Sequence, residues 1–316
     1  MTISTDQAAF EAQVRRHTRE LRVHCYRMTG SLEESEDLVQ ETFLRAWRKR
    51  EQFEGRASLR AWLYKIATNA CLDALDKRPR AVGPGGEVLW LQPFPDALLA
   101  ELPSTDDGPD EAVVAKETIE LTFLTAIQHL APLPRAVLVL RDVLDCSARE
   151  TADVLDTTEA SVNSALQRAR AGLREHLPTP RAEWRPEQDS TAAQRELLAR
   201  YVEVTERADV EATVALMHED LRFTMPPQPG VWEGRDRVVQ GWVSGGYGSE
   251  SFGALRCVLT QANGQPAVAA YVKKPGDDAY RPMALDVLGF EEGLVREIVT
   301  FDGALFAQFP DLPAAL

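Results

Sequence analysis

The segment between Phe10 and Arg78 contains no proline, and its apolar residues recur at intervals of three and four positions. That spacing places the apolar side chains on one face of an α-helix and does not fit the two-residue alternation of a half-buried strand. Pro79 ends the last helix, and the helix dipole favours the cations Lys77 and Arg78 just before it. We therefore predict a purely helical domain over residues 10–79.

The next stretch, residues 80–112, has the composition of a linker. It includes most of PRAVGPGGEV and LPSTDDGPDEA, and residues 79–118 hold two basic against eight acidic residues. Proline, glycine and acid at this density leave few side chains to bury. We predict a loose tether with little hydrophobic core of its own.

A second helical block is predicted over residues 113–177. Within it, a helix begins at Ser147 or Ala148 and continues to Leu155, and after a three-residue turn another helix begins at Glu159. Helix, short turn, helix is the arrangement that sets a second helix into the major groove of DNA. The second block is therefore a candidate DNA-binding domain.

The pattern changes after a second linker, residues 178–191, which contains three prolines. An amphipathic helical segment follows, and then five segments alternate like strands, namely Leu221–Met225, Leu255–Gln261, Ala267–Lys273, Met283–Phe290 and Leu294–Phe301. Helices followed by an antiparallel run of strands indicate an α+β domain over residues 192–316. The predicted fold is thus multidomain, with two all-α domains followed by an α+β domain.

The net charge of −14 disfavours binding of DNA by the chain on its own. A free-standing DNA-binding protein usually carries a basic surface, because most of its affinity comes from phosphate contacts. If DNA is a partner, another protein must supply much of the electrostatic attraction.

The remaining composition points to a cytoplasmic protein without a metal site or cofactor. We find no apolar run long enough to span a bilayer, no secretory signal and no membrane partner. The four cysteines lie far apart, without a CxxC pair or a histidine at zinc-ligand spacing: Cys25, Cys71, Cys146 and Cys257. We expect reduced thiols in a reducing compartment.

The block 15–80 resembles region 2 of RNA polymerase sigma factors of the extracytoplasmic-function (ECF) subfamily, through EDLVQETFLRAWR and SLRAWLYKIATNACLDALDKR. The resemblance implies that one exposed helix face docks on core RNA polymerase. The polymerase-binding residues it implies are Asp37, Leu38, Gln40, Glu41, Phe43, Arg45 and Trp47. Taken singly, their charges also fit a solvated helix face with pairs such as Glu41–Arg45.

The same resemblance implies that this block opens promoter DNA at the minus-ten element. Cations hold the displaced strand's phosphates, aromatic rings stack on exposed bases, and an amide reads a base edge. The candidate DNA-binding residues are Arg56, Arg60, Trp62, Lys65, Asn69 and Arg78. Asn69 is the candidate for base recognition, whereas Trp62 fits either a stacking surface or the helical core.

The block 119–176 resembles region 4 of the same family, which binds the minus-thirty-five element. The candidate residues for phosphates and base edges are Ser161, Asn163, Ser164, Gln167, Arg168 and Arg170. Many family members carry basic residues near positions 163 and 165, where this chain has Asn163 and Ala165. The departure predicts weak phosphate binding and a different promoter preference.

The C-terminal third resembles the SnoaL-like domain, a cone-shaped α+β fold related to ketosteroid isomerases. LLARYVEVTERADVEATVALMHEDLRFTMPP and VWEGRDRVVQGW carry the resemblance. It implies an apolar pocket for a small-molecule ligand, lined by Tyr201, Met217, Phe223, Trp232, Trp242 and Tyr271, although the same side chains also fit a core. The candidate acid–base groups are His218, Asp220, Asp286 and Asp302, without a recognisable catalytic pair.

Together these features favour a non-enzymatic initiation factor that binds core RNA polymerase and promoter DNA. The SnoaL-like domain then regulates it in cis, either by sensing a small molecule or by docking the apolar tail 301–310 on the first helical block. One alternative is a SnoaL-like isomerase or cyclase tethered to a DNA-binding module. Another is a one-component repressor, which the net charge disfavours.

Overall fold

The computed structural model describes residues 6–53, 58–77, 82–100, 119–177 and 192–316. Arg56, Arg78 and the predicted linker 178–191 lie outside these ranges. The α-helices of the described ranges are α1 Gln7–Arg15, α2 Thr18–Thr29, α3 Leu32–Arg48, α4 Leu59–Lys77, α5 Ala97–Ala100, α6 Leu121–Gln128, α7 Pro132–Leu138, α8 Ala148–Val154, α9 Glu159–His176, α10 Ala192–Arg207, α11 Val210–Ala215 and α12 Arg235–Ser244. Among them, none is long and apolar enough to cross a bilayer.

The chain divides into two compact units that are discontinuous in sequence. The first consists of Met1–Ala81, Trp90–Gln92 and Leu98–Trp184. The second consists of Val82–Leu89, Pro93–Ala97 and Arg185–Leu316. The two predicted helical domains therefore form one unit, and two segments of the predicted linker 80–112 belong to the other.

Local capping fixes the helix-turn-helix of the first unit. At the start of α8, the Ser147 hydroxyl accepts from the Glu150 N–H at 3.1 Å, and the Glu150 carboxylate accepts from the Ser147 N–H at 2.7 Å. Thr158 caps α9 by accepting from the Ser161 N–H at 3.2 Å. Between the helices, Asp156 has a φ of 48°, a left-handed conformation that aspartate tolerates better than most residues. The predicted turn is thus specified by short polar side chains.

A buried polar contact joins the two helical blocks within the first unit. Arg135 of α7 is 3% exposed, and its guanidinium donates to the Met28 carbonyl of α2 and to Gln128 Oε1 at 2.7 Å. It also donates to the carbonyls of Gln128 and Leu130 at 2.8 and 2.9 Å. Gln128 Nε2 in turn donates to the Arg27 carbonyl at 2.9 Å. One guanidinium therefore satisfies four buried acceptors drawn from both blocks.

The burial of His24 in α2 predicts that the first unit loses stability in acid. Burial lowers its pKa from 6.5 to about 3, and its Nε2 lies 2.9 Å from the Thr68 hydroxyl. Between those two pKa values the unfolded chain binds a proton that the folded chain does not, so stability falls as the pH falls. We expect the free energy of unfolding to drop by about 2 kcal/mol from pH 8 to pH 5, as measured by urea unfolding.

A His24→Gln variant is the control, because glutamine keeps a hydrogen-bonding group without a titratable ring. Between pH 8 and pH 5, the free energy of unfolding of the variant should fall by much less than the about 2 kcal/mol expected for the wild type. An identical pH dependence in the variant would assign the acid sensitivity to other groups.

The second unit is a mixed sheet covered by helices. Its strands are β1 Met217–Met225, β2 Gln228–Glu233, β3 Ala254–Ala262, β4 Gln265–Lys273, β5 Arg281–Glu291 and β6 Leu294–Asp302, in the order β2-β1-β6-β5-β4-β3. The α+β class is confirmed, but β1 and β6 are parallel, so the prediction of an antiparallel run is wrong at that pair. β2 was not predicted, because Pro229 and Gly230 interrupt its alternation.

The segment Val82–Leu89 is ordered by the second unit, contrary to the prediction of a loose tether. The Glu87 carboxylate accepts from the N–H groups of Gly85 at 2.8 Å and of Gly230 at 2.7 Å. Glu87 and Val88 are each 2% exposed. The prediction failed because the partner of Glu87 in β2 is far away in sequence.

The segment Pro93–Ala97 is attached at the turn between β3 and β4. The Phe94 N–H donates to Asn263 Oδ1 and the Asn263 N–H donates to the Phe94 carbonyl, both at 2.8 Å. The Asp96 carboxylate accepts from the Gly264 N–H at 2.8 Å. Because Phe94 is 1% exposed, the segment buries apolar surface as well as forming hydrogen bonds.

The apolar tail, residues 301–310, is part of the core of the second unit. The docking hypothesis, by contrast, requires an exposed tail. Phe306 and Phe309 are 3% and 2% exposed. The Phe306 ring centroid lies 5.1 Å from that of Tyr271 in β4, whose hydroxyl donates to the Pro313 carbonyl at 2.8 Å. The tail therefore completes the fold of its own domain.

Candidate functional sites

A groove of about 530 Å³ lies between α1 and α3 of the first unit. Predicted polymerase-binding residues Gln40, Phe43 and Trp47 line it together with Leu44, whose 52% exposure is high for a leucine. Phe10 of α1 forms part of the wall, with its ring centroid 5.2 Å from that of Trp47. The contribution of α1 to the groove was not predicted, although Phe10 and Val14 are four positions apart and so lie on one face of a helix.

The other predicted residues of α3 do not line this groove. Leu38 is 8% exposed and belongs to the core, so its side chain is not available for docking. Arg45 donates to the carboxylates of Glu41 and Asp73, each at 2.7 Å, and these bonds raise the pKa of its guanidinium. Asp37 lies on the exposed face of the helix.

Two predicted DNA-binding residues of α4 have partners within the first helical block. Arg60 donates to the Glu20 carboxylate at 2.6 Å and lies over the Tyr64 ring at 5.4 Å. Trp62 is half-buried and packs against Phe53, with ring centroids 5.1 Å apart. These contacts hold both side chains in one place along α4.

Lys65 and Asn69 of the same helix bind to the helix-turn-helix. Lys65 Nζ donates to the Asp153 carbonyl at 2.5 Å and to the Asp156 carboxylate at 2.6 Å. Asn69 Nδ2 donates to the Val154 carbonyl at 3.3 Å. These contacts were not predicted, since the partners of Lys65 and Asn69 lie more than eighty positions away in sequence.

The outer face of α9 carries the polar residues that the sequence analysis assigned to DNA. All six are exposed: Ser161, Asn163, Ser164, Gln167, Arg168 and Arg170. Arg170 forms a bidentate pair with Asp142 at 2.7 and 2.9 Å, which raises the pKa of the guanidinium. The negative charge of Asp142 also reduces the attraction of Arg170 for phosphate. Arg168 donates to the Ser164 hydroxyl at 2.9 Å.

Ala165 lies on the opposite, buried face of α9 and is 2% exposed. The interpretation of this position as a lost phosphate contact is therefore wrong. A long cation here would point into the core formed with α7, whereas Asn163 does lie on the exposed face.

Five of the six predicted pocket residues meet in one apolar cluster of the second unit. Tyr201, Met217 and Phe223 are buried there, and Trp232 and Trp242 pack against them. The cluster forms core between α10, α12 and the sheet. Tyr271 lies elsewhere, against the C-terminal tail.

Asp286 is the acid–base candidate that the fold buries. Its carboxylate accepts from the Thr300 hydroxyl at 2.6 Å and from the Tyr201 hydroxyl at 3.1 Å, and burial raises its pKa. Thr300 lies directly opposite on β6. Of the other candidates, Asp220 and Asp302 are exposed and His218 is half-buried. Asp286 thus belongs to a hydrogen-bonded core network.

Known protein families match three parts of the chain. Residues 13–81 match Sigma-70 region 2, residues 120–173 match Sigma-70, region 4, and residues 198–298 match the SnoaL-like domain. The ECF RNA polymerase sigma factor SigG of Mycobacterium tuberculosis is 41% identical over 326 residues, which cover 97% of this chain and 85% of SigG.

A second relative extends the likeness to a solved structure. The ECF RNA polymerase sigma factor SigJ of Mycobacterium tuberculosis is 31% identical over 273 residues, or 82% of this chain and 80% of SigJ. The SigJ crystal structure superposes with a TM-score of 0.60 at 25% identity, covering 96% of this chain and 99% of that one. The chain therefore belongs to the ECF RNA polymerase sigma factors and carries a C-terminal SnoaL-like domain.

Proposed function

We propose that this sigma factor binds core RNA polymerase through the groove between α1 and α3. The observation that carries the proposal is Leu44, a half-exposed leucine beside Phe43 and Trp47 on a surface rimmed by charged side chains. Exposed apolar side chains of this kind are typical of protein interfaces. Promoter selectivity comes from α4 at the minus-ten element and from α9 at the minus-thirty-five element.

The experiment that tests this function is run-off transcription with purified core polymerase and a promoter library. The full-length factor should direct initiation at a subset of promoters that core polymerase alone ignores. Initiation that does not depend on the factor would contradict the proposal.

The second unit regulates initiation in cis. Support comes from Val82–Leu89 and Pro93–Ala97, because the chain that connects regions 2 and 4 is built into the fold of this unit. Asp286 is satisfied by Tyr201 and Thr300, which favours a structural role for that carboxylate and a domain without catalytic activity.

On α9, exposed Asn163 and Gln167 recognise bases, and exposed Arg168 binds phosphate. We expect Asn163→Ala and Gln167→Ala each to reduce the discrimination against the wrong base at one position by about 1–3 kcal/mol. Each substitution removes an amide that pairs with a base edge. Selection of minus-thirty-five sequences from a randomised promoter pool measures this change.

The matched comparison is Arg168→Ala. It should weaken holoenzyme binding uniformly across sequences and reduce the salt slope by about one. A uniform loss from Asn163→Ala, without any change in the selected sequence, would remove that residue from base recognition.

A further inference from the structure

Arg170 of α9 is held by a carboxylate from the segment that follows α7. That segment is a single π-helical turn, Val139–Val143, in which the Leu144 N–H donates to the Val139 carbonyl at 3.0 Å. Turns of this kind are uncommon and often mark functional sites. Asp142 lies in the turn, and its two carboxylate oxygens accept from Arg170 Nε and Nη2 at 2.9 and 2.7 Å. The direct packing of α7 on α9 brings the two side chains together.

The Asp142 carboxylate occupies an edge of the guanidinium that could otherwise bind phosphate. A guanidinium binds a carboxylate or a phosphate through two parallel N–H groups, and here Nε and Nη2 supply them. The Asp142 side chain is 17% exposed and the Arg170 side chain 51%. The carboxylate is largely shielded from water, so salt screens this pair less than a pair of two exposed side chains. Phosphate reaches that edge only if the ion pair breaks.

Arg170 lies on a face of α9 that the proposed function assigns to DNA. It follows Gln167 by three positions and Asn163 by seven, spacings that recur on one side of a helix. All three residues are exposed. A released guanidinium at this place would add a contact to the DNA backbone, and backbone contacts carry no direct sequence information. This step rests on the proposed function, because it takes α9 as the helix that binds the minus-thirty-five element.

We propose that Asp142 is a positioning residue that withholds Arg170 from the DNA backbone. Its carboxylate stands in for a phosphate and keeps one sequence-independent contact out of the promoter complex. The affinity for every sequence is lowered by the same factor. At limiting holoenzyme, a promoter is therefore occupied only when Asn163 and Gln167 pair with their preferred bases.

Asp142→Asn tests the proposal in the holoenzyme of full-length factor and core polymerase. Asparagine has nearly the same shape, but an NH2 group replaces one carboxylate oxygen and does not accept from a guanidinium. We expect binding to tighten by about threefold at moderate salt, equally on a matched promoter duplex and on one with a scrambled minus-thirty-five element. The slope of log affinity against log salt should steepen by about 0.9, as for one added phosphate contact.

Two further variants separate the release of Arg170 from a general change of charge. Asp145→Asn removes an equal charge from an exposed residue three positions away and leaves the Asp142 carboxylate in place. Its salt slope should stay close to that of the wild type. When Arg170→Ala is already present, Asp142→Asn should neither tighten binding nor steepen the slope, because no guanidinium is released.

Arg170→Lys provides a second test if urea unfolding shows that Asp142→Asn is poorly folded. A single ammonium lacks the fork that binds both carboxylate oxygens, so Asp142 holds a lysine less firmly than an arginine. The released ammonium should also steepen the salt slope.

Unchanged slopes in Asp142→Asn and Arg170→Lys would overturn the proposal and leave the ion pair a purely structural contact. Weaker DNA binding by folded Asp142→Asn would also overturn it, because Asp142 would then hold Arg170 in place for phosphate. The Arg168→Ala variant tests the proposed function separately. If Arg168→Ala lowers the salt slope, α9 is on DNA, and a failure of Asp142→Asn then counts against this inference alone.

Discussion

Replacing Leu44 by aspartate should weaken binding to core RNA polymerase at least tenfold and abolish promoter-dependent transcription at limiting polymerase. Leu44 is 52% exposed in the free factor, so a charge there costs the fold little. In the complex the same charge is buried without a partner, which costs about 2 kcal/mol or more. The affinity is measured by titrating labelled factor with core enzyme.

Leu259→Asp provides the matched control. Leu259 on β3 has the same exposure of 52% and lies in the SnoaL-like domain, outside the groove. It should bind polymerase like the wild type. Equal affinities for Leu44→Asp and the wild type would exclude the groove as the polymerase-binding surface.

The second large effect concerns stability. Arg135→Ala should lower the free energy of unfolding of the first unit by about 3 kcal/mol or more, because four buried acceptors lose a charged donor. Arg135→Lys should recover only part of the loss, since a single ammonium lacks the fork that reaches four oxygens. Urea unfolding followed by circular dichroism measures both.

Arg149 supplies the comparison for that experiment. It is an exposed arginine on α8, and Arg149→Ala should change the unfolding free energy by about 0.5 kcal/mol or less. A similarly small effect of Arg135→Ala would show that its hydrogen bonds are replaced by water in the folded state.

Sequence reasoning succeeded where the determinants are local. The helix-turn-helix follows from Ser147, the turn at Asp156 and the cap at Thr158, all within a dozen residues. Five of the six strands of the SnoaL-like domain were placed within a few residues by their alternation. The family followed from ordered strings of residues. The fold class and the sigma-factor function are both confirmed.

It failed where the partner is distant in sequence. The role of Arg135 was not predicted, because nothing near it in sequence shows that its guanidinium reaches the Met28 carbonyl of α2. Within the described part of the linker, residues 82–100, the prediction of a loose tether failed. Composition does not reveal that Glu87 and Phe94 have partners in β2 and in the β3–β4 turn. At position 165 the family pattern was misleading, because it does not show that Ala165 lies on the buried side of α9.

The discontinuous second unit decides how chimeric sigma factors must be made from this chain. A cut at residue 191 removes the SnoaL-like domain but leaves behind Val82–Leu89 and Pro93–Ala97, with Phe94 stripped of its cover. A transplant of residues 192–316 alone lacks the carboxylate that binds Gly230. The portable module therefore has three pieces, and a graft that keeps all of them is the one that carries the domain intact into another sigma factor.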